Sequence, residues 1–168
     1  TQSAEPWAQR EEYVRKMSAD PDFEDVELSI QPAFGRHRPW TRFAYSPAAK
    51  IFLRERLAWR APLRPELVHI HGIFSHLTSA AARICRSHRI PYIVRPAGCL
   101  DVGCMQRGAK RLKRVFMSLI AHADLRSAGF LHATSRPEAE QLARFTDGSR
   151  IATVPHGVFV QEKTTNST

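Results

Sequence analysis

Apolar residues follow two alternating patterns over residues 67–154. Four short apolar runs, bounded by Gly or Pro, are typical of buried strands, and the stretches between them carry apolar residues at helical spacing. The pattern predicts strands over residues 67–71, 91–94, 130–133 and 151–154, helices over 79–88, 109–122 and 136–145, and a loop over 95–108. Strands that alternate with helices predict an α/β fold with a Rossmann-like, doubly wound and mainly parallel sheet.

The N-terminal part of the chain has a weaker pattern. A partial apolar stripe predicts a helix over residues 5–18, and strict alternation predicts a strand over 26–30. A proline-containing loop over 31–47 leads to a helix over 48–59. These elements precede the regular alternation and are compatible with it.

Charge is unevenly distributed along the chain. The 168 residues include 25 Lys and Arg against 16 Asp and Glu, a net charge of +9. Residues 1–27 hold eight acidic and three basic residues, a net of −5, so the other 141 residues carry +14. Such a field attracts phosphate groups in nucleotides, nucleic acid or anionic lipid. The bases of residues 110–114 are not interleaved with aromatic residues and no reader motif is present, so nucleic acid is not an expected partner.

The cysteines argue against a secreted protein. Cys85, Cys99 and Cys104 are too few for a disulfide scaffold, and the N-terminus lacks a basic segment followed by an apolar one. No apolar run reaches the roughly 18 residues of a membrane-spanning helix. We expect a cytoplasmic protein with reduced thiols. No second Cys or His pair at zinc spacing accompanies Cys99 and Cys104, so no metal site is expected.

The residues that follow each predicted strand are the candidates for a ligand site, because parallel α/β sheets bind ligands outside the carboxyl ends of their strands. The candidates for substrate binding are His71, Gly72, Ser75, Arg95, Gly98, Asp101 and Thr134. His156 and Gly157 follow the last strand in the same way. No catalytic residue is assigned.

For two histidines and one arginine, a structural role and a ligand-binding role have to be weighed against each other. His69 lies inside an apolar run and is expected to be a packed, hydrogen-bonded core histidine. His71 shares its face of the strand but lies at the carboxyl end, where a ligand could reach it. The planar fork of Arg95 could bind a phosphate or carboxylate, or it could form a salt bridge with Asp101.

Several candidates also have simple structural interpretations. Gly72 and Gly98 suit turns, and backbone N–H groups near Gly98 could face an anion. Ser75 is expected to cap the following helix, with contact to an anionic ligand as the alternative. Ser135 and Glu138 have the spacing of a capping box, which would give Thr134 and Ser135 a local role.

The helix predicted over 109–122 combines an apolar face with a basic cluster. The apolar face, expected to pack on the core, consists of Leu112, Val115, Phe116, Leu119 and Ile120. The basic cluster consists of Lys110, Arg111, Lys113 and Arg114. These four residues either form a solvated face or face an anionic membrane surface, which makes them the membrane-facing candidates.

Four segments resemble sequence motifs of family 4 glycosyltransferases and occur in the family's order. They are ELVHIHGIFS at residues 66–75, IPYIVRPAGCLD at 90–101, LHATSRPEAE at 131–140 and VPHGV at 154–158. Two positions depart from the common pattern. Ala97 stands where many members have a His before the Gly, so the role of that histidine is not carried over, and His156 stands where members have Asn.

The resemblance implies the N-terminal, acceptor-side half of a GT-B glycosyltransferase, in which two Rossmann-like domains face each other across a cleft. Residues 1–160 would form this domain without the family's first strand, and residues 161–168 would form a linker or frayed end. The donor-binding C-terminal domain would be absent from the chain and would be its partner in the full protein. The fragment alone is therefore expected to be inactive.

The resemblance also implies an activity. The full-length enzyme would be a hexosyltransferase that takes a nucleotide-diphosphate sugar as co-substrate, with no further cofactor and with retention, as in the family. The acceptor would be a saccharide or a lipid-linked molecule in polysaccharide or glycolipid biosynthesis. A cytoplasmic location with peripheral attachment to the inner face of the membrane fits this activity. The alternative is a non-enzymatic, phosphate- or membrane-binding Rossmann-like domain.

Overall fold

The computed structural model describes residues 45–57 and 64–157, together with the single residues 12, 15 and 19. The chain forms two compact units, residues 1–32 and 33–168. The elements below belong to the second unit.

A backbone hydrogen bond is described within the first unit. The backbone N–H of Ala19 donates to the carbonyl of Arg15 at 3.1 Å, the spacing of an α-helical bond at the end of the predicted helix over 5–18. The predicted strand over 26–30 and the predicted loop up to residue 44 lie outside the described residues.

Four parallel strands form the centre of the second unit and lie in the sheet in chain order. They are β1 (Val68–His71), β2 (Tyr92–Arg95), β3 (Phe130–Ala133) and β4 (Ile151–Thr153). His71 pairs with Arg95, and Leu131 pairs with Ile151. The predicted parallel α/β, Rossmann-like fold is confirmed, and the carboxyl ends of the four strands lie at one edge of the sheet.

Helices precede the first strand and connect the strands. They are α1 (Pro47–Leu57), α2 (His76–His88), α3 (Val102–Gln106), α4 (Lys110–Phe116), α5 (His122–Arg126) and α6 (Arg136–Leu142). A π-helical turn, Met117–Ala121, joins α4 to α5, and a 3-10 turn, Gly148–Arg150, precedes β4. The loop predicted over 95–108 is wrong in part, because α3 lies within it.

The core lies between one face of the sheet and the connecting helices. Ile70, Val94 and Leu131 of the strands are almost fully buried, and they form one cluster with Leu125 of α5 and Leu142 of α6. Residues that alternate with these, such as His69 and Phe130, are exposed. Every second residue of each strand therefore points toward the helices.

α2 shows how a cap sets a helix end. Ser75 is the N-cap, and its Oγ accepts from the backbone N–H of Thr78 at 3.1 Å. The helix therefore begins at His76, three residues earlier than predicted. Ser75 is confirmed as a capping residue, and Arg89 ends the helix in the left-handed conformation at φ 55°.

The apolar face predicted for the helix over 109–122 is confirmed only for Phe116, which packs against the core. Leu112, Val115 and Leu119 are 42%, 52% and 74% exposed, whereas Met117 and Ala121 are buried. The π-helical turn adds a residue to one helical turn, so the stripe of α4 and the core-facing side of α5 do not lie on one face. A sequence prediction that assumes a constant period of 3.6 residues per turn does not include this rotation.

A buried polar network joins α2, β2 and α5. Arg86 Nη1 lies 2.6 Å from Asp124 Oδ1 and 3.2 Å from the Tyr92 hydroxyl. The Tyr92 hydroxyl donates to the backbone carbonyl of Asp124 at 2.7 Å. Burial raises the pKa of Tyr92, an effect that the neighbouring Arg86 partly offsets. The network satisfies three polar groups that the surrounding core would otherwise leave unpaired.

Candidate functional site

A cleft of about 440 Å³ lies at the carboxyl ends of β2 and β3, beside the segment that follows β4. It is lined by four of the predicted substrate-binding residues: Arg95, Gly98, Asp101 and Thr134. Glu138, for which only a capping role was predicted, and His156 also line it. The shared strand-end edge of a parallel sheet brings these segments together.

Arg95 provides the positive charge of the cleft wall. It is the last residue of β2, and Pro96 follows it at once. Its Nη2 contacts the His156 ring, and its buried Nε has no hydrogen-bond partner in the described part of the chain. This nitrogen is shielded from solvent, so the fold leaves one guanidinium donor unpaired among the described residues, and the side chain lies in the cleft wall, where the first interpretation, a phosphate or carboxylate of a ligand, places it.

Asp101 and Arg95 both lie in the described part of the chain, and they do not form the alternative salt bridge. Its Oδ1 accepts from the backbone N–H of Gly103 at 2.7 Å and caps α3, and its Oδ2 accepts from Gln141 Nε2 at 3.1 Å. These hydrogen bonds, first among them that from Gly103, lower the pKa of the Asp101 carboxyl. Asp101 thus ties the loop after β2 to helix α6.

Glu138 has a different role from the one that its spacing predicted. Ser135 Oγ accepts from the Glu138 backbone N–H at 3.4 Å, so the first half of the capping box is confirmed. The Glu138 carboxylate does not reach back to Ser135. Its Oε1 accepts from the Gly98 N–H at 2.8 Å, and its Oε2 accepts from the N–H and the hydroxyl of Thr134, both at 2.7 Å.

The electrostatics of Glu138 favour its charged form. Burial raises the pKa of the carboxyl, but hydrogen bonds from Thr134 and Gly98 and the charge of Arg95 outweigh burial, so the pKa lies below its ordinary value. The Gly98 N–H is consequently already paired with an internal anion and is not open to a ligand. Gly98 keeps its turn role at φ +72°.

Comparison with known proteins places the chain in a family. The model of the glycosyl transferase 4-like domain matches residues 7–157. The chain belongs to this family. No curated protein and no solved structure matches it. A glycosyltransferase takes a sugar donor and an acceptor, so the glycosyl transferase 4-like domain has partners of these two general kinds.

The domain carries three histidines on the sheet face opposite to the helices. The expectation of a core position for His69 is wrong, because its side chain is exposed there. His132 Nδ1 lies 3.3 Å from His69 Nε2, and His132 Nε2 lies 3.0 Å from the Val154 carbonyl. The ring of His71 lies 4.3 Å from that of His69, and His71 is in register with Arg95.

We expect the free energy of unfolding to fall as the pH is lowered from about 7.5 to about 5.5. Partial burial, together with neighbouring histidines and Arg95, lowers the pKa of His69 and of His71 below the ordinary 6.5. The unfolded chain then binds more protons in this range, so stability decreases as the pH drops through the ordinary histidine pKa. Urea unfolding at both pH values measures this. The double variant His69→Gln, His71→Gln should flatten the dependence, and an unchanged slope would contradict it.

The remaining predicted residues lie outside the cleft lining. Gly72 adopts φ +79°, and its N–H donates to the Arg95 carbonyl at 2.8 Å, which extends the strand pairing. Ser75 uses its hydroxyl within α2, where it also donates to Thr78 Oγ1 at 3.0 Å. The structure therefore brings four of the seven candidates together and gives Gly72 and Ser75 local backbone roles.

The basic cluster divides into two parts. Lys110, Arg111 and Arg114 are exposed. Lys113 instead lies against the protein, with its Nζ donating to the Cys104 carbonyl at 2.6 Å and lying 5.6 Å from the centre of the Phe74 ring. The outward-facing basic surface of the domain thus contains three of the four candidates.

Two kinds of feature are absent from the described ranges. Within residues 45–57 and 64–157 no cluster of His, Cys, Asp or Glu could hold a metal ion. No helix in the same ranges is long and apolar enough to cross a membrane. The three cysteines are free thiols, and burial raises the pKa of Cys85 to about 11.

Proposed function

We propose that the chain is the acceptor-side domain of a glycosyltransferase that uses a nucleotide-diphosphate sugar. The acceptor is a saccharide or a lipid-linked molecule, in polysaccharide or glycolipid biosynthesis. The strand-end cleft is the observation that carries this proposal, since a family of glycosyltransferases and a cleft with an arginine in its wall coincide in one chain. The proposed location is the cytoplasm.

The cleft supports binding and orientation of an acceptor. The Arg95 guanidinium can hold an anionic group, such as a phosphate or carboxylate, by two parallel hydrogen bonds. Thr134, across the cleft, can contact a sugar hydroxyl. Holding an acceptor hydroxyl in one orientation toward the donor lowers the entropic part of the barrier. The proposal gives this domain positioning of the acceptor, and it assigns no proton transfer to any of these residues.

A transfer assay tests the proposal. The protein that contains this domain is incubated with a panel of nucleotide-diphosphate sugars and with saccharide and lipid-linked acceptors, and both nucleotide release and glycosylated product are measured. Product that depends on donor and acceptor supports the proposal. Binding of phosphate-containing ligands without any product would contradict it and would favour the non-enzymatic alternative.

We also propose that α4 lies on an anionic membrane surface. Leu112, Val115 and Leu119 are exposed and form one wall of an apolar groove of about 360 Å³. Lys110 and Arg111, on the same helix, are exposed cations. An exposed apolar stripe beside cations is the pattern of helices that lie at a bilayer interface.

Changing Lys110, Arg111 and Arg114 together to Gln is expected to release the protein from vesicles that contain anionic lipid. Each cation close to such a surface contributes about 1 kcal/mol of binding. Sedimentation with vesicles measures the bound fraction. A matched control changes Arg126, Arg136 and Arg144, three exposed arginines on other helices or turns, to Gln. Equal release by both triple variants, or by neither, would contradict the assignment of α4.

A further inference from the structure

The Glu138 carboxylate joins two strand-end loops of the cleft. Gly98 belongs to the loop after β2, and Thr134 follows β3 directly. These residues donate three hydrogen bonds of 2.7 to 2.8 Å to the two carboxylate oxygens. Glu138 itself is only 9% exposed. A charged group with this number of short partners and little exposure is held rigidly.

The loop that Glu138 holds has an unfavourable backbone. Ala97 at φ +52° and Gly98 at φ +72° are consecutive left-handed residues. This conformation is disfavoured for a residue with a Cβ, so Ala97 needs surrounding contacts that keep it there. The Gly98 N–H bond to Glu138, together with the bond from Gln141 to Asp101, supplies such contacts from helix α6.

The same carboxylate fixes the direction in which the Thr134 hydroxyl donates its hydrogen bond. A carboxylate can only accept, so the Thr134 O–H must donate to Glu138 Oε2. Only the lone pairs of the Thr134 oxygen remain for the cleft. This oxygen can accept from a ligand O–H or N–H but cannot donate to a phosphate. Anion binding is thereby left to Arg95.

We propose that Glu138 is a positioning residue of the acceptor cleft, which acts through Gly98 and Thr134 and makes Thr134 select an acceptor hydroxyl. The inference rests on the proposed function, because it names the acceptor group that would bind to the Thr134 side of the cleft.

Amide NMR spectra of the chain test the positioning itself. On acidification the Gly98 and Thr134 amide signals should move together, with one midpoint below the usual range of a glutamate. Glu138→Gln should abolish this shared titration and shift residues 96–101. Glu140→Gln is the matched control, because it removes a charge from the same helix at an exposed ion pair with Arg136. Independent titration of the two amides, or equal effects of both variants, would overturn the proposal.

Kinetics of the enzyme that contains this domain test the selection. Glu138→Gln should raise the acceptor KM by about tenfold and leave the donor KM close to that of Glu140→Gln. Thr134→Val should raise the acceptor KM similarly, and Thr134→Ser should restore it. Equal changes in donor and acceptor KM, or full activity of Thr134→Val, would overturn the selection.

The two tests separate the inference from the proposed function. If the wild-type enzyme transfers no sugar, the proposed function and the hydroxyl selection both fail. The NMR result still decides whether Glu138 positions the two loops. If transfer occurs but neither variant alters the acceptor KM, the proposed function stands and the inference fails.

Discussion

Asp124→Asn is expected to lower the free energy of unfolding by about 2–3 kcal/mol, because it leaves the Arg86 charge without its partner. The Asp124 side chain is 10% exposed and that of Arg86 is 30% exposed, so the pair is mostly removed from water. Breaking a fully buried pair costs about 3–5 kcal/mol, and the partial exposure of Arg86 places this case below that range. Urea unfolding at neutral pH measures the change.

Two further variants make this expectation specific. Arg86→Met combined with Asp124→Leu should be less destabilising than Asp124→Asn alone, because no charge is then left unpaired. Glu140→Gln, which breaks an exposed pair of 3.3 Å with Arg136, should cost at most about 0.5 kcal/mol. If the double variant were less stable than Asp124→Asn, the expectation would be contradicted. The ion pair would then stabilise the folded state more than apolar side chains at the same two positions.

Arg95→Ala is expected to lower kcat/KM of the enzyme that contains this domain by at least about tenfold, or about 1.4 kcal/mol of transition-state binding. Its place on the cleft wall makes it the cation that can meet an acceptor anion. Arg95→Lys keeps the charge but loses the planar fork, so it should restore only part of the activity. His71→Ala, at the neighbouring register position, should also lower activity by about tenfold or more.

The control for these variants is Arg144→Ala, which removes an exposed arginine outside the cleft. It should leave kcat/KM unchanged. Arg95→Ala and His71→Ala should both retain the wild-type unfolding midpoint, since strand-end side chains contribute little to the core. Near-full activity of both variants would contradict a ligand role for this edge of the sheet.

Chain position alone was enough to predict which residues lie together at the strand ends. Arg95, Gly98, Asp101 and Thr134 meet in one cleft because parallel strands deliver their following residues to one edge. The role of Glu138 was not predictable, since its partner Gly98 lies 40 residues away. The spacing of a capping box is the same whether the carboxylate bonds to its own helix or to another loop.

Local sequence determined the elements of this protein. Alternating apolar residues and Gly or Pro boundaries identify the strands, and Ser75 and Ser135 mark two helix starts by hydrogen bonds within four residues. The tertiary structure decided which faces are buried. His69 is exposed because it points away from the core that its neighbour Ile70 joins, and the stripe of α4 is exposed because a π-helical turn rotates it from the core. Short-range patterns set backbone conformation, whereas burial depends on neighbours that the chain brings together only on folding.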